Sequence, residues 1–133
     1  MTRYVIDAPT LLELVAHPVD VHPAHRLVAP NRVRSEAMTL LLAAVDQGDI
    51  TEKFALEQHE RLTAVKMRLL GDRVSRRTAW KIAREHGWDT IFDAEYIAVC
   101  TLQADALITT DGDLALKATG LVPLAPFDAL FSE

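Results

Sequence analysis

The chain has 133 residues, of which half are apolar and a quarter charged. That balance suits one globular domain with a single sizeable core and excludes a disordered chain. No apolar run approaches the roughly 18 residues of a membrane span, so no membrane association is expected. The opening Met-Thr-Arg-Tyr-Val-Ile-Asp carries no apolar segment of signal-peptide length, and the one cysteine, Cys100, can make no internal disulfide. A reducing cytoplasm is the expected compartment.

Net charge is −5, which taken alone argues against a nucleic-acid partner. Its distribution reverses the argument. Between Lys66 and Arg84 stand seven basic residues against one acid, Asp72, which leaves the rest of the chain at −11. Such a stretch draws phosphates locally, and Arg73, Arg76, Arg77 and Lys81 are the candidate RNA-backbone contacts. The plainer alternative is a solvated helix face. Trp80 and Trp88 flank these cations, and both are expected inside the protein.

In chain order, Arg3–Ile6 reads as a strand ending on Asp7. Pro9 opens a helix through Ala16, and the proline-broken stretch His17–His25 reads as a loop. Arg26–Ala29 is a possible short strand. Val33, Ala37, Leu40, Leu41 and Ala44 share one face of a helix from Asn31 to Gln47, closed by Gly48. Thr51 opens a long helix expected to run to about Leu70 and stop at Gly71. Ser75–His86 is helical up to Gly87. Asp89 and Thr90 cap a helix over Ile91–Gln103, in which Cys100 is a core residue. Asp105–Thr110 is a strand ending on Asp111, Gly112–Thr119 a short helix, Leu121–Leu124 a last short strand, and Pro126–Phe131 a helical turn. Strands separated by helices predict an α/β domain with a mostly parallel sheet.

In a parallel sheet, ligands gather beyond the carboxyl ends of the strands. Asp7 and Asp111 each follow an apolar strand and belong on that edge, although a lone strand-end Asp is commonly a turn or cap residue. Glu36 falls beside Val33 and Leu40, at the border of a face that should be buried. A charge there is costly unless something pairs with it, and Arg32 and Arg34 are the ordinary partners. Asp93, read alone, completes a capping box with Thr90. Asp113 either assists the site or caps the helix starting at Leu114, with the cap the better reading. Carboxylates converging in one cleft would stay partly protonated unless a cation joined them, and their hard oxygens suit Mg²⁺ or Mn²⁺. Such an ion activates water and offsets charge on a phosphate, so metal-assisted phosphodiester hydrolysis is the natural reaction. His17, His22 and His25 lie close together but lack metal-ligand spacing.

Four segments carry a family resemblance: Tyr4-Val-Ile-Asp7-Ala, Ala29-Pro-Asn-Arg-Val-Arg-Ser-Glu36, Phe92-Asp93-Ala-Glu-Tyr-Ile-Ala and Ala106-Leu-Ile-Thr-Thr-Asp111. They resemble the four acidic motifs of PIN-domain proteins, and their order, spacing and the chain length resemble VapC-type toxins. The last two motifs, 18 residues apart, are the most specific. The resemblance implies a three-layer α/β/α domain over residues 1–133, with a central parallel sheet of four to five short strands. It implies a Mg²⁺- or Mn²⁺-dependent endoribonuclease, toxin of a type II toxin–antitoxin pair, commonly a homodimer and neutralised by a cognate antitoxin. Asp7, Glu36, Asp93 and Asp111 would be the catalytic quartet, with Asp7, Asp93, Asp111 and Asp113 toward the metal. Relatives often have a small polar residue two places after the first Asp; here Pro9 stands there, with Thr10 next. Thr109 and Thr110 match the hydroxyl common near the last motif. The first helix and the helix from Thr51 are candidates for the antitoxin contact. The alternatives are a PIN-fold binding module with little catalysis, or another Mg²⁺-dependent phosphotransfer enzyme.

Overall fold

The computed structural model describes residues 1–133. Strand β1 (Thr2–Ile6) leads into α1 (Ala8–Ala16), β2 (His25–Pro30), α2 (Val33–Asp46), α3 (Glu52–Ala64) and β3 (Arg68–Leu70). Helix α4 (Arg73–His86), α5 (Phe92–Gln103), β4 (Ala106–Ile108) and α6 (Gly112–Ala118) follow, and a 3₁₀ turn spans Phe127–Phe131. The four strands form one sheet in the order β3-β2-β1-β4, with every pairing parallel.

Parallel strands need both faces covered, and helices do that here. Val5 and Ile6 of β1 and Leu107 and Ile108 of β4 are fully buried. Leu11, Val33, Leu62, Ile97 and Leu114 join them from five helices in one apolar core. Ala79 and Ala83 of α4 meet Ala94 and Ala98 of α5 in a smaller cluster, where small side chains let the two helices approach closely. Cys100 lies in the main core, as expected. No helix is long and apolar enough to cross a membrane.

Two expectations about elements are corrected. The helix from Thr51 does not reach Leu70. It ends at Ala64, and Arg68–Leu70 instead pairs with Val28–Pro30 as the edge strand. Lys-Met-Arg-Leu-Leu is compatible with a helix, but tertiary contacts override that preference. The Arg34 guanidinium donates to the carbonyls of Leu62 (3.2 Å) and Val65 (2.7 Å), the groups a helix leaves open at its end. Gly71 is therefore not a helix stop: it packs so closely on the Asn31 side chain that any Cβ would collide with it. The last strand, expected over Leu121–Leu124, reduces to one parallel bridge between Leu107 and Leu124.

The strand order decides where a site can form. From β1 the chain moves outward through β2 to β3, then returns to place β4 on the other side of β1. The connections leave β1 and β4 in opposite directions, which opens a crevice beyond their carboxyl ends. Ile6 lies opposite Ile108 in the register, so Asp7 and Thr109 are the first residues past the sheet on each side of that crevice.

Candidate active site

Asp7 is 3% exposed. It caps α1, where Pro9 is tolerated because the first turn's amide hydrogens need no helical partner. Its Oδ1 accepts from the Thr10 amide (3.1 Å) and from the Thr10 hydroxyl. Its Oδ2 accepts from the Thr109 hydroxyl, whose oxygen in turn accepts from the Asp111 amide at 2.9 Å. Thr10 Oγ1 also accepts from the Thr110 amide at 3.1 Å, which ties α1 to the segment after β4. The hydroxyl expected two places after the first Asp is supplied three places after it, because helix capping brings that residue back over its cap.

Burial raises the Asp7 carboxyl above the ordinary carboxylate range; its hydroxyl and amide donors pull it down, and the Asp111 charge nearby raises it further. Asp111 caps α6, accepting from the Asp113 amide at 2.9 Å. The cap of that helix is thus Asp111, not Asp113. Asp113 sits in the first turn with its side chain 70% exposed and pairs with Lys117 at 3.3 Å.

Glu36 projects from the first turn of α2 and is half-buried. Arg32 lies 3.6 Å from its Oε1 and 3.2 Å from Glu95 Oε1, with its guanidinium 3.8 Å over the Phe92 ring. Burial raises the Glu36 carboxyl; Arg32 opposes this, while Glu95 and Asp93 add to it. The Tyr96 hydroxyl is buried without a partner at full hydrogen-bond geometry, and burial first, then the Glu36 charge, hold its proton on. Asp93 does not cap its helix. Ile91 takes that position without a side-chain bond, and the Thr90 hydroxyl reaches only the Phe92 amide at 3.4 Å. Asp93 instead accepts from Lys117 Nζ at 2.8 Å, and Lys117 stands 5.4 Å from the Trp88 ring. The hydrogen bond to Asp93 is the main reason that the Lys117 ammonium holds its proton more firmly than a free lysine.

The quartet expected from the sequence therefore lies in two neighbourhoods joined electrostatically. Asp7 and Asp111 face each other across the β1–β4 crevice. Glu36 and Asp93 share a second with Glu95, Arg32 and Tyr96. Glu95, Tyr96 and Lys117 are site residues that the sequence reading missed, and Arg32 pairs with Glu36 as that reading allowed. Lys117 stands four residues after Asp113, a spacing at which opposite charges meet on a helix, and that was the available signal.

As donors, these carboxylates suit a hard divalent cation. They do not form a ready-made ligand set, because no three acidic, histidine or cysteine side chains stand close enough to hold one ion. Arg32 and Lys117 take up the outer carboxylates, and Asp7 is satisfied by hydroxyls. The histidine cluster at His17–His25 forms no metal group either.

Arg73, Arg76, Arg77 and Lys81 are all exposed on α4, and none has a carboxylate partner. Trp80 stands among them 64% exposed, against the expectation that it packs inside. Small alanines fill the α4–α5 contact and leave no room there for an indole. Trp88 is half-buried.

No curated protein sequence matches the chain. The crystal structure of PAE2754 from Pyrobaculum aerophilum is similar over 98% of this chain and 93% of that one, at 25% identity and a TM-score of 0.75. The model of the PIN domain matches residues 4–120, which takes in β1 through α6 and every carboxylate described above. With its parallel four-stranded sheet and nuclease-like fold, the chain belongs to the PIN-domain family.

Proposed function

We propose that this chain is a Mg²⁺- or Mn²⁺-dependent endoribonuclease, the toxin of a type II toxin–antitoxin module, held inactive by a cognate antitoxin. The observation that carries the reading is Asp7. A carboxylate 3% exposed, at the point where the strand order reverses, beside the like charge of Asp111, is a poor stabilising device. Burial and a like charge both oppose its ionisation, which makes sense where an ionised group serves chemistry.

In this reading Asp7, Asp93, Asp111 and Asp113 would be drawn together around the divalent ion, which would take the place of Lys117 beside Asp93 and Asp113, and Glu36 completes the acidic set. When bound, the ion supplies a more acidic water and positive charge to offset that building on the phosphate. Thr10 and Thr109 fix both Asp7 oxygens, so the carboxylate is oriented before substrate arrives. Lys117 and Arg32 hold the outer carboxylates in place by ion pairs. The α4 face grips the RNA, with Arg73, Arg76, Arg77 and Lys81 on phosphates and Trp80 as a stacking platform for a base.

A protein partner is supported by apolar side chains left in solvent on α2 and α3, where Leu40, Leu42, Phe54 and Leu56 are exposed. The α3 helix is the proposed antitoxin contact, with α1 beside it. A homodimer and a cytoplasmic location complete the proposal.

Induced expression tests it. Wild type should arrest growth and cleave cellular RNA, while Asp7→Asn and Asp93→Asn should do neither. Equal arrest by all three would end the catalytic assignment. The absence of a ready three-ligand group favours one rival, a PIN-fold binding module with little catalysis. Calorimetric titration with Mn²⁺ separates the two: an enzyme binds the ion in a manner lost in Asp111→Asn, and a scaffold shows no such dependence.

A further inference from the structure

At the opposite, amino end of the sheet lies a cleft of about 1100 Å³. The starts of β1, β2 and β3, the loop after α1 and the end of α3 enclose it. Arg3, Arg26, Arg61, Lys66 and Arg68 line it, against one acid, Asp20. All four ion pairs of the chain involve Arg32 or Lys117 at the other end of the sheet, so none of these five cations has a carboxylate partner. On a chain of net charge −5 that is an uncompensated basic pocket.

Two of the guanidiniums are held in place by carbonyls: Arg26 donates to Pro23 (2.7 Å) and His25 (2.9 Å), and Arg61 to Val15 (3.1 Å). An arginine has five donor hydrogens, so each keeps others for a ligand. His25, also in the lining, is 6% exposed. Its Nε2 donates to the Ser132 carbonyl at 2.6 Å, while its Nδ1 is buried with no partner. A buried ring nitrogen without a partner is costly.

The apolar part of the lining decides what kind of anion fits. Leu14, Val15, Val19, Val21, Val65 and Met67 contribute aliphatic surface, and the cleft holds no phenylalanine, tyrosine or tryptophan. Single-stranded nucleic acid is gripped by cations together with aromatic stacking platforms. That combination occurs on α4, around Trp80; here the rings are those of His17, His22 and His25, with His17 already stacked on Phe131 and His25 buried against Tyr4. Cations around an aliphatic floor match carboxylates interleaved with aliphatic side chains.

We propose that this cleft docks an acidic, aliphatic-rich peptide segment of a protein partner, with carboxylates on Arg3, Arg26, Arg61 and Arg68 and aliphatic side chains on the floor. The inference stands on the cleft alone and does not depend on what the acidic edge cleaves.

The test is fluorescence anisotropy of a labelled Glu/Leu-rich peptide titrated with the full chain. Binding should be saturable, and weakened about a hundredfold by Arg3→Glu with Arg68→Glu, two exposed positions where reversal replaces attraction by repulsion. A Glu/Ser peptide of equal charge should bind about tenfold more weakly, for want of buried aliphatic area. Asp7→Asn should bind the Glu/Leu peptide like wild type. The single variant Lys66→Glu, also exposed, should weaken binding in the same direction and guards against loss of fold in the double variant. The proposal is overturned if the Glu/Leu peptide does not bind, if reversal leaves its affinity unchanged, or if the Glu/Ser peptide binds equally well. It is overturned too if labelled oligouridylate, not the peptide, is the ligand that reversal displaces, which would make the cleft an RNA surface.

Discussion

At the carboxyl end of the sheet, acidic side chains are drawn together and the chain supplies its own cations, Arg32 and Lys117, to hold the outer ones. At the amino end, four arginines and a lysine surround a cleft in which no carboxylate pairs with any of them. The same parallel sheet produces both. Its strands all start at one end and finish at the other, so residues just before each strand share one edge and residues just after share the opposite one. Arg3, Arg26 and Arg68 lie in the first residues of β1, β2 and β3, whereas Asp7 and Asp111 follow β1 and β4. A chain with net charge −5 thereby separates two strong local fields of opposite sign, which its average charge conceals.

The separation can be broken from either side. The largest effect is expected at the acidic edge: Asp111→Asn should lower the initial rate of RNA cleavage by about 10²–10³-fold, as expected for loss of a group that stabilises developing charge. Reversing Arg3 and Arg68 should change that rate by no more than about twofold, because distant sites act independently. Measuring both variants on the same labelled RNA shows whether the two ends are separable.

The α4 face should matter for binding rather than for chemistry. Trp80→Ala should weaken RNA binding by about tenfold, within the usual range for a lost base stack. Replacing Arg76 and Arg77 with alanine should reduce the slope of log affinity against log salt by about 1.4, the value for two contacts to a single strand. Filter binding across a salt series, with Asp7→Asn to prevent cleavage, reads both.

Thr10→Val should cost about 1–2 kcal/mol of stability, since the substitution strands the Thr110 amide and takes one of two donors from Asp7 Oδ1. It should also slow cleavage by about tenfold if a fixed Asp7 matters. Chemical denaturation and initial rates give the two numbers.

A smaller and more diagnostic effect concerns pH. Because folding raises the Asp7 and Glu36 carboxyls, the folded state binds their protons more tightly than the unfolded chain does. Stability from these groups is complete below the ordinary carboxylate range. It falls as pH rises from there through the raised folded values, and then stays level. Asp7→Asn removes one such ionisation. It should melt above wild type at neutral pH, and the gap should close in acid. A variant that gains stability while losing cleavage marks a residue kept for function. The smallest effect should come from Lys117→Met, which frees Asp93 and Asp113 from an exposed ammonium. Divalent affinity should rise by a few-fold, the value of a surface ion pair, as measured by calorimetry with Mn²⁺.

Much of this arrangement was legible in the residues. Apolar runs ending on Asp7 and Asp111 announced strands and the edge that matters, because a parallel sheet places strand-following residues together. Glu36 was legible as a charge bordering a buried face. The β3 strand was not, because Lys66–Leu70 has no period of its own and becomes a strand only through pairing with β2 and the Arg34 contacts that end α3. The place of Trp80 was hidden for a similar reason: alanines set the α4–α5 spacing, and only the partner helix reveals that the indole is left outside. Lys117 and Glu95 escaped notice because their roles come from contacts with Asp93 and Arg32, between different elements. The basic cleft is the clearest case. Its five cations are scattered from Arg3 to Arg68, and only strand order gathers them.

The central claim is that the carboxylate edge is a metal-dependent ribonuclease site built around Asp7. Its most direct test is the initial cleavage rate of labelled single-stranded RNA by purified wild type and Asp7→Asn, each with and without Mn²⁺. The account predicts cleavage by wild type that requires the ion, and a rate at least about a hundredfold lower in the variant under all conditions. Cleavage that proceeds equally without a divalent ion, or is unchanged by Asp7→Asn, would contradict it.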